Sequence, residues 1–264
     1  MPKKKSRSAP LGLIFLGAIL ICAAIFFIYT TWIQLHGKPS YINKPISEQE
    51  ELKFEYVFKT QTNGILGIDI SHYQGKINWD EIELKIKDRP IEFFIFRATM
   101  GDDQDELFQE YWKALDTMNI RRGAYHYYRP NQNSSIQAEN FIKSVRLKPG
   151  DFRPILDIER HSTIQSKDRL REGIQNWLNI VEAYYGVKPI IYTGDRFNTD
   201  VLVGHGFEDY PLWVANYNPI REPKSDYWVI WQFSEKGRMK GIYESIDLNV
   251  LRGGPKTLEA LLIE

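Results

Sequence analysis

The sequence predicts an α/β barrel of the (β/α)8 type, preceded by one apolar N-terminal helix. From residue 64 onward, short apolar runs alternate with longer amphipathic runs, a pattern typical of strands joined by helices in a parallel sheet. Eight such short runs are enough to close a barrel. A composition that is 43% hydrophobic and 14% aromatic supports a large packed core rather than disorder.

The first element is a stretch of 23 uncharged residues, 11–33. As a helix it would span about 34 Å, enough to cross the hydrocarbon core of a bilayer. Lys3, Lys4, Lys5 and Arg7 precede it, which predicts a cytoplasmic N-terminus and a C-terminal domain on the exported side, periplasmic or extracellular. A cleaved signal peptide has a shorter apolar region and a small-residue cleavage site. We therefore expect an uncleaved, single-pass signal anchor.

The predicted domain organisation follows from this anchor. Residues 1–10 form a basic cytoplasmic tail, 11–33 the transmembrane anchor, 34–62 a stalk, and 63–264 the barrel domain. Prolines and a polar stretch interrupt the predicted stalk, where Glu50-Glu51-Leu52 suggests a short helix.

The predicted strands and helices share simple patterns. The strands are short apolar runs, at Ile65–Ser71, Phe93–Thr99, Gly123–Tyr128, Pro154–Glu159, Pro189–Thr193, Leu212–Tyr217, Trp228–Phe233 and Ser245–Asn249. The helices have apolar residues at helical spacing, at Asp105–Met118, Ser135–Val145 and Asp168–Tyr185. The later connections are too short for full helices, so we expect the second half to be irregular.

Acids stand where several of these strands end. Asp157 and Glu159 are spaced i and i+2, so they point to the same side of a strand. Asp69 and Asp247 hold similar positions in the first and eighth strands. Barrel chemistry lies at the carboxyl ends of the strands, and crowding two acids raises the pKa of one of them. The sequence therefore predicts a carboxylate-lined site suited to acid catalysis.

Other classes of function are disfavoured. Four of the 34 basic side chains precede residue 33, where there is no acid, so the rest of the chain is net acidic and unsuited to nucleic acid. The scattered histidines and the absence of a metal-binding motif argue against a metal, and no cofactor is expected. The single cysteine, Cys22, permits no intrachain disulfide, and a monomer is expected.

Several motifs together resemble the glycoside hydrolase family 25 lysozymes, the Chalaropsis-type N,O-diacetylmuramidases. They cover most of residues 64–253 in the order typical of the family: G-I-D-I-S-H-Y-Q-G at 67–75, G-A-Y-H-Y-Y at 123–128, D-I-E at 157–159, L-W-V-A-N-Y at 212–217, W-Q at 231–232 and D-L-N at 247–249. The resemblance implies a flattened, somewhat irregular (β/α)8-like TIM barrel. It also implies hydrolysis of the β-1,4 bond between N-acetylmuramic acid and N-acetylglucosamine in the glycan strands of peptidoglycan.

The resemblance also implies roles for the acids. Glu159 matches the general acid, Asp157 its assisting partner, and Asp69 and Asp247 the remaining acids of the groove. The candidate substrate-binding residues are Tyr125, Tyr127, Tyr192, Trp213, Asn216, Gln232 and Arg97. Arg97 belongs to a departure from the family pattern, because Arg-Ala-Thr-Met-Gly stands where Lys-Ala-(Ser/Thr)-Glu-Gly is expected. This departure concerns substrate preference at the groove edge more than bond cleavage.

Two chemical routes and two other functions stay open at this point. A carboxylate can attack the anomeric carbon, or the 2-acetamido oxygen of the sugar can do so while Asp157 orients the amide. The i, i+2 spacing and the acetamido substrate favour the second route. The alternatives to a lysozyme are a non-catalytic peptidoglycan-binding membrane tether and a barrel glycosidase that acts on another N-acetylhexosamine polymer.

Overall fold

The computed structural model describes residues 11–36 and 45–264, and within the first helix it describes the side chains of residues 19–31. Helix α1 spans Leu11–His36. Among the residues described in this way, no helix is long and apolar enough to cross a membrane. The anchor predicted over 11–33 is not confirmed and stays a prediction, and the predicted tail 1–10 lies outside the described residues.

The remaining elements follow in chain order. The helices are α2 (Glu48–Thr60), α3 (Phe108–Ala114), α4 (Ser134–Ser144), α5 (Lys167–Tyr185), the single turn α6 (Asp195–Phe197) and α7 (Pro255–Ala260). The strands are β1 (Ile65–Ile70), β2 (Lys85–Ile86), β3 (Arg89–Met100), β4 (Asp103–Gln104), β5 (Arg121–Tyr127), β6 (Ile155–Asp157), β7 (Ile190–Gly194), β8 (Leu212–Ala215), β9 (Trp228–Gly237) and β10 (Ile246–Leu251).

The predicted barrel is confirmed. Its strands pair in the order β1-β10-β9-β8-β7-β6-β5-β3, and the pairing of β1 with β3 closes the ring. Full-length helices accompany the strands only up to β7, as the short later connections predicted. The prediction that all eight barrel strands are parallel was wrong for one strand, because β10 runs antiparallel to both β9 and β1. A short connection from β9 to β10 allows this reversal, whereas a parallel crossover needs a dozen or more residues.

Two apolar layers hold the barrel. The outer layer packs the helices against the strands and includes Phe141, Trp177 and Val181, all fully buried. The inner layer fills the barrel with side chains such as Phe93, Ile155 and Trp213. Every second residue of a strand points to the interior of the barrel. The last interior-facing residue of each strand therefore lies at the mouth of the barrel.

The predicted stalk is wrong over its second half. Helix α2 begins after the N-cap Ser47 and packs on the barrel, where Phe54 and Val57 are 3% and 1% exposed. The Phe54 ring lies 5.9 Å from the ring of Phe233 on β9. The barrel domain therefore begins before the predicted boundary at residue 63, because α2 buries an apolar face against β9.

Candidate active site

A cavity of about 200 Å³ opens at the carboxyl ends of the parallel strands. Ten of the eleven predicted site residues line it, together with Ile70, Ser71, Tyr73 and Gln74. Its walls carry Asp69, Arg97, Tyr125, Tyr127, Asp157, Glu159, Tyr192, Trp213, Gln232 and Asp247. Every strand of the closed barrel therefore contributes at least one of the predicted groups to one space.

Asp69 and Asp247 face each other across one wall of the cavity. They are register partners in the antiparallel pairing of β1 with β10. Asp247 is the second residue of β10, so it reaches the mouth because that strand starts there. The sequence placed Asp247 at the end of a parallel strand, and this was wrong. The reversal of β10 explains why an acid near the start of a strand still joins the other acids.

The pKa values of Asp69 and Asp247 are both raised above the ordinary value of an aspartate, but by different amounts. Burial raises the pKa of Asp69 to about 6, although hydrogen bonds from Asn249 and Gln232 oppose the rise. Asn249 Nδ2 and Gln232 Nε2 donate to Asp69 Oδ2 at 2.7 and 2.8 Å. Burial and the neighbouring charge of Asp69 raise the pKa of Asp247 to about 9. Near neutrality, Asp69 is therefore mainly ionised while Asp247 keeps its proton.

Asp157 and Glu159 differ in how far their side chains are exposed to solvent. Asp157 is 6% exposed, whereas Glu159 is exposed at the rim. Burial, followed by the charge of Glu159, raises the pKa of Asp157 well above its ordinary value. Partial burial of its carboxyl group also raises the pKa of Glu159, while its hydrogen bond with Asp157 and the charge of Arg160 oppose the rise. In the free protein, the deeper acid therefore holds a proton more firmly than the rim acid.

One oxygen of Asp157 is left for a ligand. Asp157 Oδ1 is buried and has no hydrogen-bond partner among the described residues. A buried polar atom without a partner is costly and needs an explanation. Because Asp157 lines the cavity, a donor group on a bound molecule would satisfy this oxygen.

Gln232 connects the Asp69 side of the cavity to two tyrosines. Its side-chain nitrogen donates to Asp69, and its Oε1 accepts a hydrogen bond from Tyr192 at 2.8 Å and another from Tyr217. The amide is 2% exposed and already has protein partners at both ends. Gln232 therefore orients Asp69 within the wall, and the sugar contact predicted for it is not needed to explain its position.

Arg97 is likewise engaged within the protein. Its Nε donates to Asp105 Oδ2 at 2.9 Å, and its guanidinium lies 5.0 Å from the centroid of the Tyr73 ring. Arg97 is 5% exposed. A planar guanidinium can make the ion pair and stack on the ring together, so the departure from the family pattern fits its local surroundings.

The aromatic candidates differ in depth. Trp213 is 1% exposed, its Nε1 donates to Asn249 Oδ1 at 2.8 Å, and its ring packs 4.6 Å from that of Tyr192. It forms the floor of the cavity. Tyr125 and Tyr127 are only half-buried on the β5 wall. Burial raises the pKa of both tyrosines, so their hydroxyls keep the protons they would donate.

Comparison with known proteins places this barrel in a family. The family model "Glycosyl hydrolases family 25" matches residues 68–242. The chain belongs to glycosyl hydrolase family 25. It is a glycoside hydrolase, and three of the four acids of the cavity lie within the matched range.

Relatives of the family 25 chain include proteins of known and unknown activity. It is 34% identical over 265 residues to "Uncharacterized protein YegX" of Escherichia coli (strain K12), covering 98% of this chain and 94% of that protein. It is 31% identical to "Lysozyme M1" of Streptomyces globisporus, covering 76% and 72% of the two chains. The crystal structure of a bacterial lysozyme from Streptomyces coelicolor matches with a TM-score of 0.67 at 29% identity, covering 76% of this chain and 98% of that one.

Asn216 is the one predicted site residue that lies elsewhere. Its Nδ2 donates to Asp195 Oδ2 at 2.8 Å, and its Oδ1 accepts a hydrogen bond from the backbone N–H of Asn218. Strand β8 ends at Ala215, and period-2 alternation places Asn216 on the face opposite Trp213. Asn216 therefore lies outside the cavity and orders the loop after β8, and the sugar contact predicted for it stays a prediction.

Sequence reasoning missed two tyrosines of the family 25 site. Tyr73 follows β1 in a short turn, lines the cavity and is 68% exposed. Tyr217 holds Gln232 from the loop after β8. Both stand inside the motifs that carry the family resemblance. Tyr73 lies in a turn, where strand alternation does not apply, and Tyr217 ended the predicted strand Leu212–Tyr217 without any local signal of its partner Gln232.

Replacing Asp247 with Asn tests whether the buried Asp247 carboxyl keeps its proton near neutrality. The folded pKa of about 9 exceeds the unfolded value of 3.8, so the folded state binds the extra proton between these values and stability falls as pH rises through that window. Asp247→Asn removes this penalty. We expect its melting temperature to exceed that of the wild type at pH 8 and the difference to shrink near pH 4. A constant difference across thermal melts at both pH values would contradict the assignment.

Proposed function

We propose that this family 25 chain is a lysozyme that hydrolyses the β-1,4 bond between N-acetylmuramic acid and N-acetylglucosamine in peptidoglycan. The observation that carries the proposal is the convergence of Asp69, Asp157, Glu159 and Asp247 on one cavity. Glycosidic cleavage needs one carboxyl that gives up a proton and another group that supports the cationic sugar. A non-catalytic tether would gain nothing from crowding four acids at this cost.

Glu159 is the proposed general acid. It stands at the rim, where it can reach the leaving oxygen of the scissile bond, and its raised pKa favours the protonated form. It gives its proton to O4 of the leaving sugar as the bond from C1 breaks. Positive charge then develops at C1 and the ring oxygen.

Asp157 is the proposed partner of the 2-acetamido group. Its Oδ1 lacks a partner in the described structure, so it can accept the acetamide N–H of the sugar in the cavity. That hydrogen bond favours the ionised form of Asp157 and lowers its pKa. Substrate binding would then shift the proton of the Asp157 and Glu159 pair towards Glu159, where catalysis needs it.

The acetamido oxygen is the proposed nucleophile. It attacks C1 as the leaving sugar departs, forming a cyclic oxazolinium that Asp157 stabilises through the amide N–H. Water then opens the ring at C1 and passes one proton to Glu159, which restores the acid. Asp69, mainly ionised near neutrality, is proposed to add negative charge to the cavity, and Tyr125, which lines the same cavity, is proposed to donate to the acetamide oxygen.

Product analysis tests the proposed reaction. We expect purified protein to clear a suspension of peptidoglycan and to release fragments whose reducing end is muramic acid, as read by mass spectrometry after borohydride reduction. Walls with and without O-acetylated muramic acid test the N,O-diacetylmuramidase assignment. Reducing-end N-acetylglucosamine would contradict the bond assignment. Faster cleavage of chitin oligomers than of peptidoglycan would support the other barrel glycosidase.

We also propose that residues 11–33 anchor the enzyme in a membrane with the barrel on the exported side. The support is the uncharged sequence and the exposure of apolar α1 side chains such as Phe26 and Phe27, which are 69% and 70% exposed. We expect the full chain to stay in the membrane pellet after alkaline carbonate extraction and a variant without residues 1–33 to become soluble. Release of the full chain by carbonate would contradict anchoring.

A further inference from the structure

Helix α2 lies before the segment that the family model matches, yet it reaches the wall of the active site. It carries a buried ion pair in which Lys53 Nζ donates to Glu50 Oε1 at 2.6 Å. Glu50 and Lys53 are 3% and 8% exposed, and the second Glu50 oxygen accepts a hydrogen bond from Ser234 Oγ on β9. Burying an ion pair is costly unless its geometry is good, and replacing it with apolar residues of similar volume is often neutral or stabilising. Overall stability therefore gives little reason for the pair.

The contacts of Lys53 lead towards the catalytic acids. Its ammonium lies 5.6 Å from the centroid of the Tyr217 ring, within the range of a cation–π contact. The Tyr217 hydroxyl donates to Gln232, and Gln232 donates to Asp69. Tyr217 is 37% exposed and follows the end of β8, so its ring is not enclosed by the barrel core.

A second contact ties α2 to the same loop. Gln61, the C-cap residue of the helix, donates from Nε2 to Glu222 Oε1 at 2.7 Å. Glu222 belongs to the segment between β8 and β9, which also contains Tyr217. The helix therefore holds this loop at two points.

We infer that α2 is a positioning element of the active site, in which Lys53 holds the Tyr217 ring and Tyr217 holds Gln232 in the orientation that donates to Asp69. The inference rests on the proposed function for its catalytic consequence, and its structural part stands on the contacts alone. The segment that follows the predicted anchor thereby completes the catalytic wall.

The test removes the ion pair without leaving an unpaired buried charge. The paired variant is Glu50→Gln with Lys53→Met, and Lys53→Arg alone keeps a cation at the ring. Lys87→Met is the matched control, because Lys87 also pairs with an α2 acid, Glu51, and lies 5.0 Å from an aromatic ring, that of Phe54, with no path to Gln232. Thermal melts report the stability of each variant.

The kinetic readout is a double-mutant cycle with Tyr217→Phe. We expect the paired variant and Tyr217→Phe each to lower kcat about three- to tenfold with little change in KM, the range set by a contact of cation–π strength. Their effects should not add, because both act through Gln232. Lys53→Arg should keep most of the activity, and Lys87→Met should match the wild type. Additive effects, or an equal loss in Lys87→Met, would overturn the inference.

A readout independent of turnover separates this inference from the proposed function. The groups that act on Asp69 through charge or hydrogen bonds include Gln232, Asn249, Asp247, Glu159, Asp157 and Tyr125. Among them, Gln232 accepts hydrogen bonds from Tyr217 and Tyr192, and Tyr217 is the one that contacts Lys53. A loosened Gln232 donates less well, so carbon-13 NMR titration should show a higher pKa for Asp69 in the paired variant than in the wild type or Lys87→Met. An unchanged Asp69 titration in the paired variant would overturn the inference, whether or not the protein cleaves peptidoglycan.

Discussion

Glu159→Gln should abolish lysis of peptidoglycan while leaving the melting temperature close to that of the wild type. An amide cannot give a proton to the leaving oxygen, and loss of a general acid typically costs about 10²–10⁴-fold in rate. Glu159 lies at the exposed rim and has no ion pair among the described residues within 4.0 Å, and a glutamine side chain can keep the hydrogen bond to Asp157. Turbidity clearing measures the activity, and calorimetry measures the melt.

The matched control is Glu139→Gln on α4, whose side chain is 60% exposed and pairs with Lys143. It makes the same chemical change far from the cavity, so activity should equal that of the wild type. Substantial clearing by Glu159→Gln would show that another group delivers the proton. A large drop in its melting temperature would instead show that Glu159 has a structural role.

Asp157→Asn should reduce kcat by about 10²–10³-fold, the usual cost of removing one preorganised electrostatic partner. The asparagine oxygen can still accept the acetamide N–H, so binding and KM should change little. An amide cannot become an anion, however, and cannot stabilise positive charge on the oxazolinium. Because burial raises the pKa of Asp157 well above its ordinary value and so favours its neutral form, the neutral replacement should not lower the melting temperature. Wild-type turnover by this variant would remove Asp157 from the mechanism.

The same residue separates the two chemical routes. If the acetamido oxygen attacks C1, protein quenched during turnover should show no covalent sugar by intact-mass analysis. A glycosyl ester on Asp157 would mean that the carboxylate attacks, and the substrate-assisted route would then be wrong. Both routes keep Glu159 as the acid, so this outcome leaves the first prediction unchanged.

The barrel could be predicted from sequence because its strands are short apolar runs separated by helical patterns. Strand direction could not, since the apolar pattern of β10 is the same whichever way it runs. Asn216 lies outside the cavity, and alternation from Trp213 places it on the opposite face. The prediction for Asn216 followed the resemblance of the L-W-V-A-N-Y motif at 212–217 to the family, although the alternation of side chains along the strand argued against it.

The packing of helix α2 on the barrel was missed for a different reason. Glu50 and Lys53 are residues that usually stay in water, so a segment rich in them is typical of a solvated stalk. Their burial depends on a long-range partner, Ser234, which local sequence does not reveal. Tyr217 was likewise passed over because its role depends on Gln232, fifteen residues along the chain.

The sequence also could not predict whether Asp157 or Glu159 holds a proton more firmly. The i, i+2 spacing predicts that Asp157 and Glu159 interact, but it does not say which is more deeply buried. The structure places Asp157 inside and Glu159 at the rim. Burial and the charge of Glu159 raise the pKa of Asp157, whereas the interaction with Asp157 opposes the rise in the pKa of Glu159. This difference is the basis of the proposal that substrate binding moves the proton from Asp157 to Glu159.

Carbon-13 NMR titration of the side-chain carboxyls in the free, folded protein tests the central claim most directly. We expect Asp157 to titrate well above the ordinary range of an aspartate, Asp247 to remain protonated at pH 7 and Asp69 to lose its proton near pH 6. Addition of a non-cleavable N-acetylmuramic acid oligomer should move the proton from Asp157 to Glu159. If all four carboxyls titrate below pH 5, as in water, the cavity holds no proton for catalysis and the account is wrong.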